Sequence, residues 1–268
     1  MRTRAHIALL VPLVFLLGCG LPYTPPVSSL SGNWQIQAGT AITSPPNTYP
    51  NFVGALQEQG TQVSAIFSTA PNRVSPQVIN FTGSFNPTTE SLAFNSNFFE
   101  IGFTDPSTPY TITPVTVIGG CFNPITTNVV CPAVEPLFPS VGVQIAPLNG
   151  TYTGTLTVSC PPNTSSCPAY SGTGTLTLTQ STTPNSSGQF PLTGTITFPS
   201  SSGFGTHTIS GTISGEGIIL YDPTPGIVPV VSLTASTNPS ATQITVSNLA
   251  FAVTASDIVT YTGTLVRQ

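Results

Sequence analysis

Tyr152-Thr-Gly-Thr-Leu156 sets the reading of this chain. An apolar residue, a hydroxyl residue, glycine, a second hydroxyl residue and a second apolar residue alternate with a period of two, which is the period of a β-strand and not of a helix. The same pattern recurs as Phe81-Thr-Gly-Ser-Phe85, Leu192-Thr-Gly-Thr-Ile196, Ile209-Ser-Gly-Thr-Ile213 and Tyr261-Thr-Gly-Thr-Leu265. In a strand the first, third and fifth residues share a face, so each copy turns an apolar-Gly-apolar row inward and hydroxyls outward. Glycine weakens a strand, and its repeated place on the buried face requires a cause. Tight coiling of a sheet that closes on itself, or room for a large neighbouring side chain, supplies one. No segment beyond the N-terminal run repeats apolar residues at helical spacing, and the strand-like stretches are broken by clusters of Asn, Pro, Gly and Ser. The expected fold is all-β, an antiparallel barrel or strongly twisted sandwich, with glycines 83, 154, 194, 211 and 263 inside strands between buried neighbours.

The two halves resemble each other. Leu30-Ser-Gly-Asn-Trp34 opens the first and Leu148-Asn-Gly-Thr-Tyr152 the second. Gly54-Ala-Leu-Gln and Gly174-Thr-Leu-Thr follow, and Phe81–Phe85 with Glu90-Ser-Leu-Ala-Phe94 parallels Ile209–Ile213 with Glu216-Gly-Ile-Ile-Leu220. A diverged duplication is expected, with repeats at 30–135 and 136–268 joined in the proline-rich stretch 132–147. Counting from turn signal to turn signal gives about fourteen strands.

Charge excludes several functions. Charged residues make up 4% of the chain, no lysine occurs, and beyond residue 18 only Arg73 and Arg267 stand against eight acids. Nucleic acid is excluded as a partner, because phosphate neutralisation needs clustered cations, and so is polybasic attraction to anionic lipid. A hydrophobic fraction of 39% speaks for a packed domain. The surface falls to Thr, Ser, Asn and Gln, which hydrate without titrating, so stability is expected to vary little with pH.

The N-terminus has a cationic start at Arg2 and Arg4 and an apolar run from Ile7 to Leu17, too short to span a bilayer as a mature helix. It ends on Leu16-Leu17-Gly18-Cys19, which resembles the lipobox of bacterial lipoproteins. The resemblance implies a signal peptide over 1–18, removed before Cys19, a diacylglycerol on the Cys19 thiol and a palmitate or similar acyl group on its new amine. Gly20, where an inner-membrane protein of this class carries Asp, implies the outer membrane. Membrane attachment then rests on acyl chains. Residues 19–29 read as a lipidated, proline-rich tether that spans roughly 30 Å at about 3.1 Å per residue.

The remaining cysteines, Cys121, Cys131, Cys160 and Cys167, are even in number. In an exported chain that predicts two disulfides, with Cys121–Cys131 and Cys160–Cys167 as the favoured local pairing. Neither a metal nor a cofactor is expected, since the cysteine spacings are not those of zinc knuckles, His207 is the only histidine after the signal, and no phosphate-cradling glycine loop is present. His207, on the same strand face as Gly205 and Ile209, reads as a rim or core histidine held by a hydroxyl. Glu216 and Asp222 are too far apart along one strand, about 20 Å at 3.3 Å per residue, for the paired carboxylates of a glycosidase. No enzymatic activity is expected.

Gly32-Asn33-Trp34 is similar to the G-x-W that opens lipocalins, eight-stranded barrels that carry small apolar ligands. In that family an arginine near the end of the barrel packs over the tryptophan. The resemblance implies that Arg267 lies over Trp34 and closes the first strand on the last, while the strand count departs from the family. Two functions follow. The leading one is a lipid-anchored envelope protein, akin to the threonine-rich lipoproteins of bacteria, with structural, adhesive or binding work. The alternative is a lipocalin-like carrier, which an internal cavity of several hundred Å3 would favour.

Overall fold

The computed structural model describes residues 29–38, 51–69, 78–86, 91–95, 99–103, 109–112, 115–124, 139–159, 170–223, 231–252 and 258–268. They form an all-β molecule of two antiparallel units. The first contains β1 (Gly32–Ala38), β2 (Asn51–Gln59), β3 (Gln62–Thr69), β4 (Val78–Asn86), β5 (Ser91–Asn95), β6 (Phe99–Phe103), β7 (Pro109–Ile112), β8 (Val115–Pro124) and β9 (Pro139–Ile145). The second contains β10 (Gly150–Ser159), β11 (Gly172–Gln180), β12 (Phe190–Thr197), β13 (Thr206–Ser214), β14 (Gly217–Tyr221), β15 (Val231–Thr237), β16 (Gln243–Ala252) and β17 (Ile258–Arg267).

The second unit is a closed barrel of eight strands in which each pairs with its neighbours in sequence and β17 returns to β10. The closing register sets Tyr152 opposite Arg267 and Val158 opposite Tyr261. The first unit is a nine-stranded sheet in the order β6-β5-β4-β3-β2-β1-β9-β8-β7, and an additional β6–β8 pairing joins Ile101 to Phe122. That pairing makes a ring of β1 to β6, β8 and β9, with β7 outside it on β8. Both halves therefore contain a ring of eight antiparallel strands. The strand β9, which the sequence reading assigned to the second repeat, lies between β1 and β8. The chain passes from one unit to the other at residues 146–149, where no strand is formed.

Alternation builds both cores. In the second barrel Tyr152, Leu156, Leu176, Leu178, Leu192, Ile196, Ile209, Ile213, Leu233, Ile244, Tyr261 and Leu265 are buried in one contiguous cluster. Each such side chain contributes about 1.5–3 kcal/mol by leaving water. Threonines fill the opposite parity. The first unit has its own cluster around Trp34, Phe52, Phe67 and Phe81, with Phe81 edge-on to Phe52 at 5.8 Å and to Phe67 at 5.7 Å. Glycines 83, 154, 194, 211 and 263 all lie within strands, and the apolar residues that flank each are buried. The cause is close approach of neighbouring backbones. A Cβ on Gly194 would fall on the carbonyl oxygen of Thr177, and one on Gly263 on that of Thr155.

Candidate functional site

Trp34 and Arg267 do not close a barrel together. Trp34 stands on β1 of the first unit, opposite Gly54 and Gln144, fully buried, with its indole N–H donating to the Leu30 carbonyl at 2.7 Å. Arg267 stands on β17 of the second, opposite Tyr152. Each unit instead repeats one corner. In the second, a Cβ on Gly150 would meet Arg267 Nε at 3.4 Å; in the first, a Cβ on Gly32 would meet Gln144 Nε2 at 2.7 Å. Tyr152 is therefore the counterpart of Trp34, and Gln144 that of Arg267. Burial raises the pKa of the Tyr152 phenol, against the opposing charge of Arg267. Its hydroxyl donates to the Ala241 carbonyl at 2.9 Å and ties the first barrel strand to the turn before β16.

Among the predicted cysteines, Cys121 lies on β8, opposite Gly102 and Pro139. Cys19, Cys131, Cys160 and Cys167 lie outside the described residues, and with them both disulfides and the anchor.

His207 sits at one end of the second barrel, where its ring packs against Phe198 and Phe251 at 5.9 and 5.2 Å. Its Nε2 is 3.0 Å from the Phe204 carbonyl and its Nδ1 is 3.8 Å from Asp222 Oδ2, so a carbonyl and a carboxylate face it where a hydroxyl was expected. Phe204 stacks on Phe251 at 4.2 Å and 15° and covers this end. Beside Phe198, at 5.5 Å between rings, the Tyr261 hydroxyl is buried without a well-formed hydrogen bond. Burial pushes its pKa up, an effect that the neighbouring Ser202 hydroxyl opposes. Asp222 belongs to this end and Glu216 to the other, with β14 between them, so these carboxylates do not form a pair.

The opposite end of the barrel meets the first unit. Asn33, buried on β1, donates from Nδ2 to the Gly215 carbonyl and accepts from the Gly215 amide, both at 2.8 Å. The Gln35 side-chain carbonyl accepts from the Glu216 amide at 3.2 Å. Gly215 has φ +56°, and a Cβ there would come within 2.7 Å of Val53 Cγ1 and 2.9 Å of Gln35 Oε1, so the β13–β14 turn fits the first unit only as glycine. Burial raises the pKa of the Glu216 carboxyl. The linker is fastened as well: Leu148 N–H donates to Gln180 Oε1 at 3.0 Å, Gln180 N–H to Asn149 Oδ1 at 2.9 Å, and Ala146 N–H to the Pro239 carbonyl at 2.8 Å.

Beside this seam opens a cleft of about 530 Å3. Its walls are the start of β1, the end of β2, the linker from Gln144 to Asn149, and Gln180 to Pro184 with Phe190. Six carboxamides line it, Asn33, Gln57, Gln59, Gln144, Asn149 and Gln180, and Glu58 is the sole ionisable side chain in the lining. The sequence reading did not find this site. Four separated segments build it, and the available signal was Gln180, which ends the inward row Gly174, Leu176, Leu178 with a polar side chain.

Among the described residues no cluster of His, Cys, Asp and Glu could hold a metal ion. No protein-family model and no curated protein matches this sequence.

Proposed function

We propose that this protein is a lipid-anchored component of a bacterial cell envelope, held by acyl chains on Cys19, and that its two fused β-units form a rigid, non-catalytic binding or adhesive module. One observation carries the choice of module over container: the inward positions of the second barrel are taken by a contiguous cluster of buried side chains, and a cleft of small-molecule size lies outside it, at the seam. The anchor is supported by the Leu16-Leu17-Gly18-Cys19 motif and the tether that follows. Two acyl signals hold a protein stably where one does not. Cys19→Ser is expected to move the folded domain from the membrane to the soluble fraction, read by fractionation and immunoblot. Continued detergent dependence of that variant would overturn the anchor.

A second reading, the lipocalin-like carrier, is favoured by the up-and-down topology of the eight-stranded barrel and by the buried Tyr261 hydroxyl, which lacks a well-formed hydrogen bond, beside Phe198. Mass spectrometry of small molecules extracted from protein purified from its native envelope separates the two. A stoichiometric apolar compound supports the carrier; none supports the module.

A further inference from the structure

We infer that the seam cleft is a binding site for a neutral polyhydroxylated ligand, a glycan of mono- to disaccharide size. The inference rests on the binding-module reading above and names its ligand class. Its volume of about 530 Å3 falls within the range of small-molecule sites.

The central observation is Gln180. Its residue is 9% exposed and lines the cleft, its Oε1 is fixed by the Leu148 amide at 3.0 Å, and its Nε2 has no acceptor among the described residues. That donor reaches the cleft and is free to bond a ligand oxygen in place of water. The same hydrogen bond that occupies Oε1 fixes which end of the amide faces the ligand.

The rest of the lining matches the chemistry of a sugar. Each sugar hydroxyl both donates and accepts, as each carboxamide does. Gln57 and Gln59, at the mouth, make no side-chain hydrogen bond, and Gln144 spends its Nε2 on the Ser29 and Ser31 carbonyls at 3.3 and 2.9 Å, which leaves its oxygen as an acceptor. Pro184 supplies apolar surface for the C–H face of a ring, while Phe190 belongs to the buried core and only borders the cleft. Among the described residues no cation lines the cleft, so none offsets the desolvation of a phosphate or uronate, and Glu58 repels both. The reciprocal Asn33–Gly215 bonds hold the two walls together before a ligand arrives, which lowers the ordering cost of binding.

The test uses the full lipidated chain in a zwitterionic detergent without a sugar headgroup. Cellobiose and diacetylchitobiose are the neutral probes and glucuronic acid the charged one, read by calorimetry and saturation-transfer NMR. Saturable binding of a neutral probe and none of glucuronic acid is expected. Gln180→Glu keeps the acceptor for Leu148 and removes the donor, and should weaken binding about tenfold or more. The paired substitutions Gln57→Ala and Gln59→Ala sit on exposed positions that carry no fold, and should weaken it severalfold even if Gln180→Glu fails to fold. No neutral probe bound, binding that all these variants leave unchanged, or equal affinity for glucuronic acid would each overturn the inference. Fractionation of Cys19→Ser is read separately, so loss of the ligand class and loss of the anchor are distinguishable.

Discussion

Gly194 and Gly263 mark where adjacent strands of the second barrel come so close that a methyl group meets a backbone carbonyl. A side chain could rotate away from such a contact, but a backbone in a closed ring cannot move without shifting its own partners. Gly194→Ala and Gly263→Ala should each destabilise by about 1–3 kcal/mol or more, despite the better strand propensity of alanine, measured by denaturant unfolding. Unchanged midpoints would show that the strands do not approach as described. These glycines were legible because they recur on one strand parity. The partner of Arg267 was not, because cross-strand neighbours far apart in sequence leave no local pattern. The internal repeat held the missing information: Tyr152 occupies in Leu148–Tyr152 the place Trp34 occupies in Leu30–Trp34, and the last strand of each unit supplies its long polar side chain, Gln144 or Arg267.

At the scale of elements, the β13–β14 turn acts as a plug between the units. Asn33 imitates a strand edge, giving Gly215 both a donor and an acceptor. Asn33→Ala leaves two backbone groups of that turn unpaired at roughly 1–3 kcal/mol each. Unfolding of that variant should shift toward separate transitions for the two units while β-sheet circular dichroism is kept; a single unshifted transition would show that the seam carries no stability. The strand β9 was misassigned because Pro132, Pro136, Pro139 and Pro147 read as a linker, whereas Pro139 opens the strand, where a missing N–H is tolerated. The cysteine pairs Cys121–Cys131 and Cys160–Cys167 would close short loops worth under about 3 kcal/mol each. Peptide mapping without reduction should recover those two crosslinks, and one joining Cys121 to Cys160 would replace the pairing.

Across the whole molecule, the scarcity of ionisable groups leads the sequence to expect a stability nearly independent of pH, and among the described residues Glu216 departs from that expectation. An acid whose pKa is higher in the folded than in the unfolded chain binds more protons when folded, so its contribution is best at low pH and is lost as pH rises through both values. The Glu216→Gln variant should therefore gain stability relative to the natural protein as pH is raised from about 4 to 7, read as the difference of two unfolding curves. A difference that shrinks over that interval would contradict the raised pKa. The fold class was legible because alternation is a property of the chain itself. The cleft was not, since it exists only once both units have closed and met.

Ring closure has a further consequence, for life in a crowded milieu. Proteins ordinarily keep apart through like-charge repulsion and through charged residues on sheet margins that deter strand addition. A chain with 4% charged residues can rely on neither. By returning β17 to β10 and β8 to β6, it leaves β7 as the free margin among the described strands. Closure thus gives this nearly uncharged surface a topological protection against amyloid-like association, which for most proteins is electrostatic.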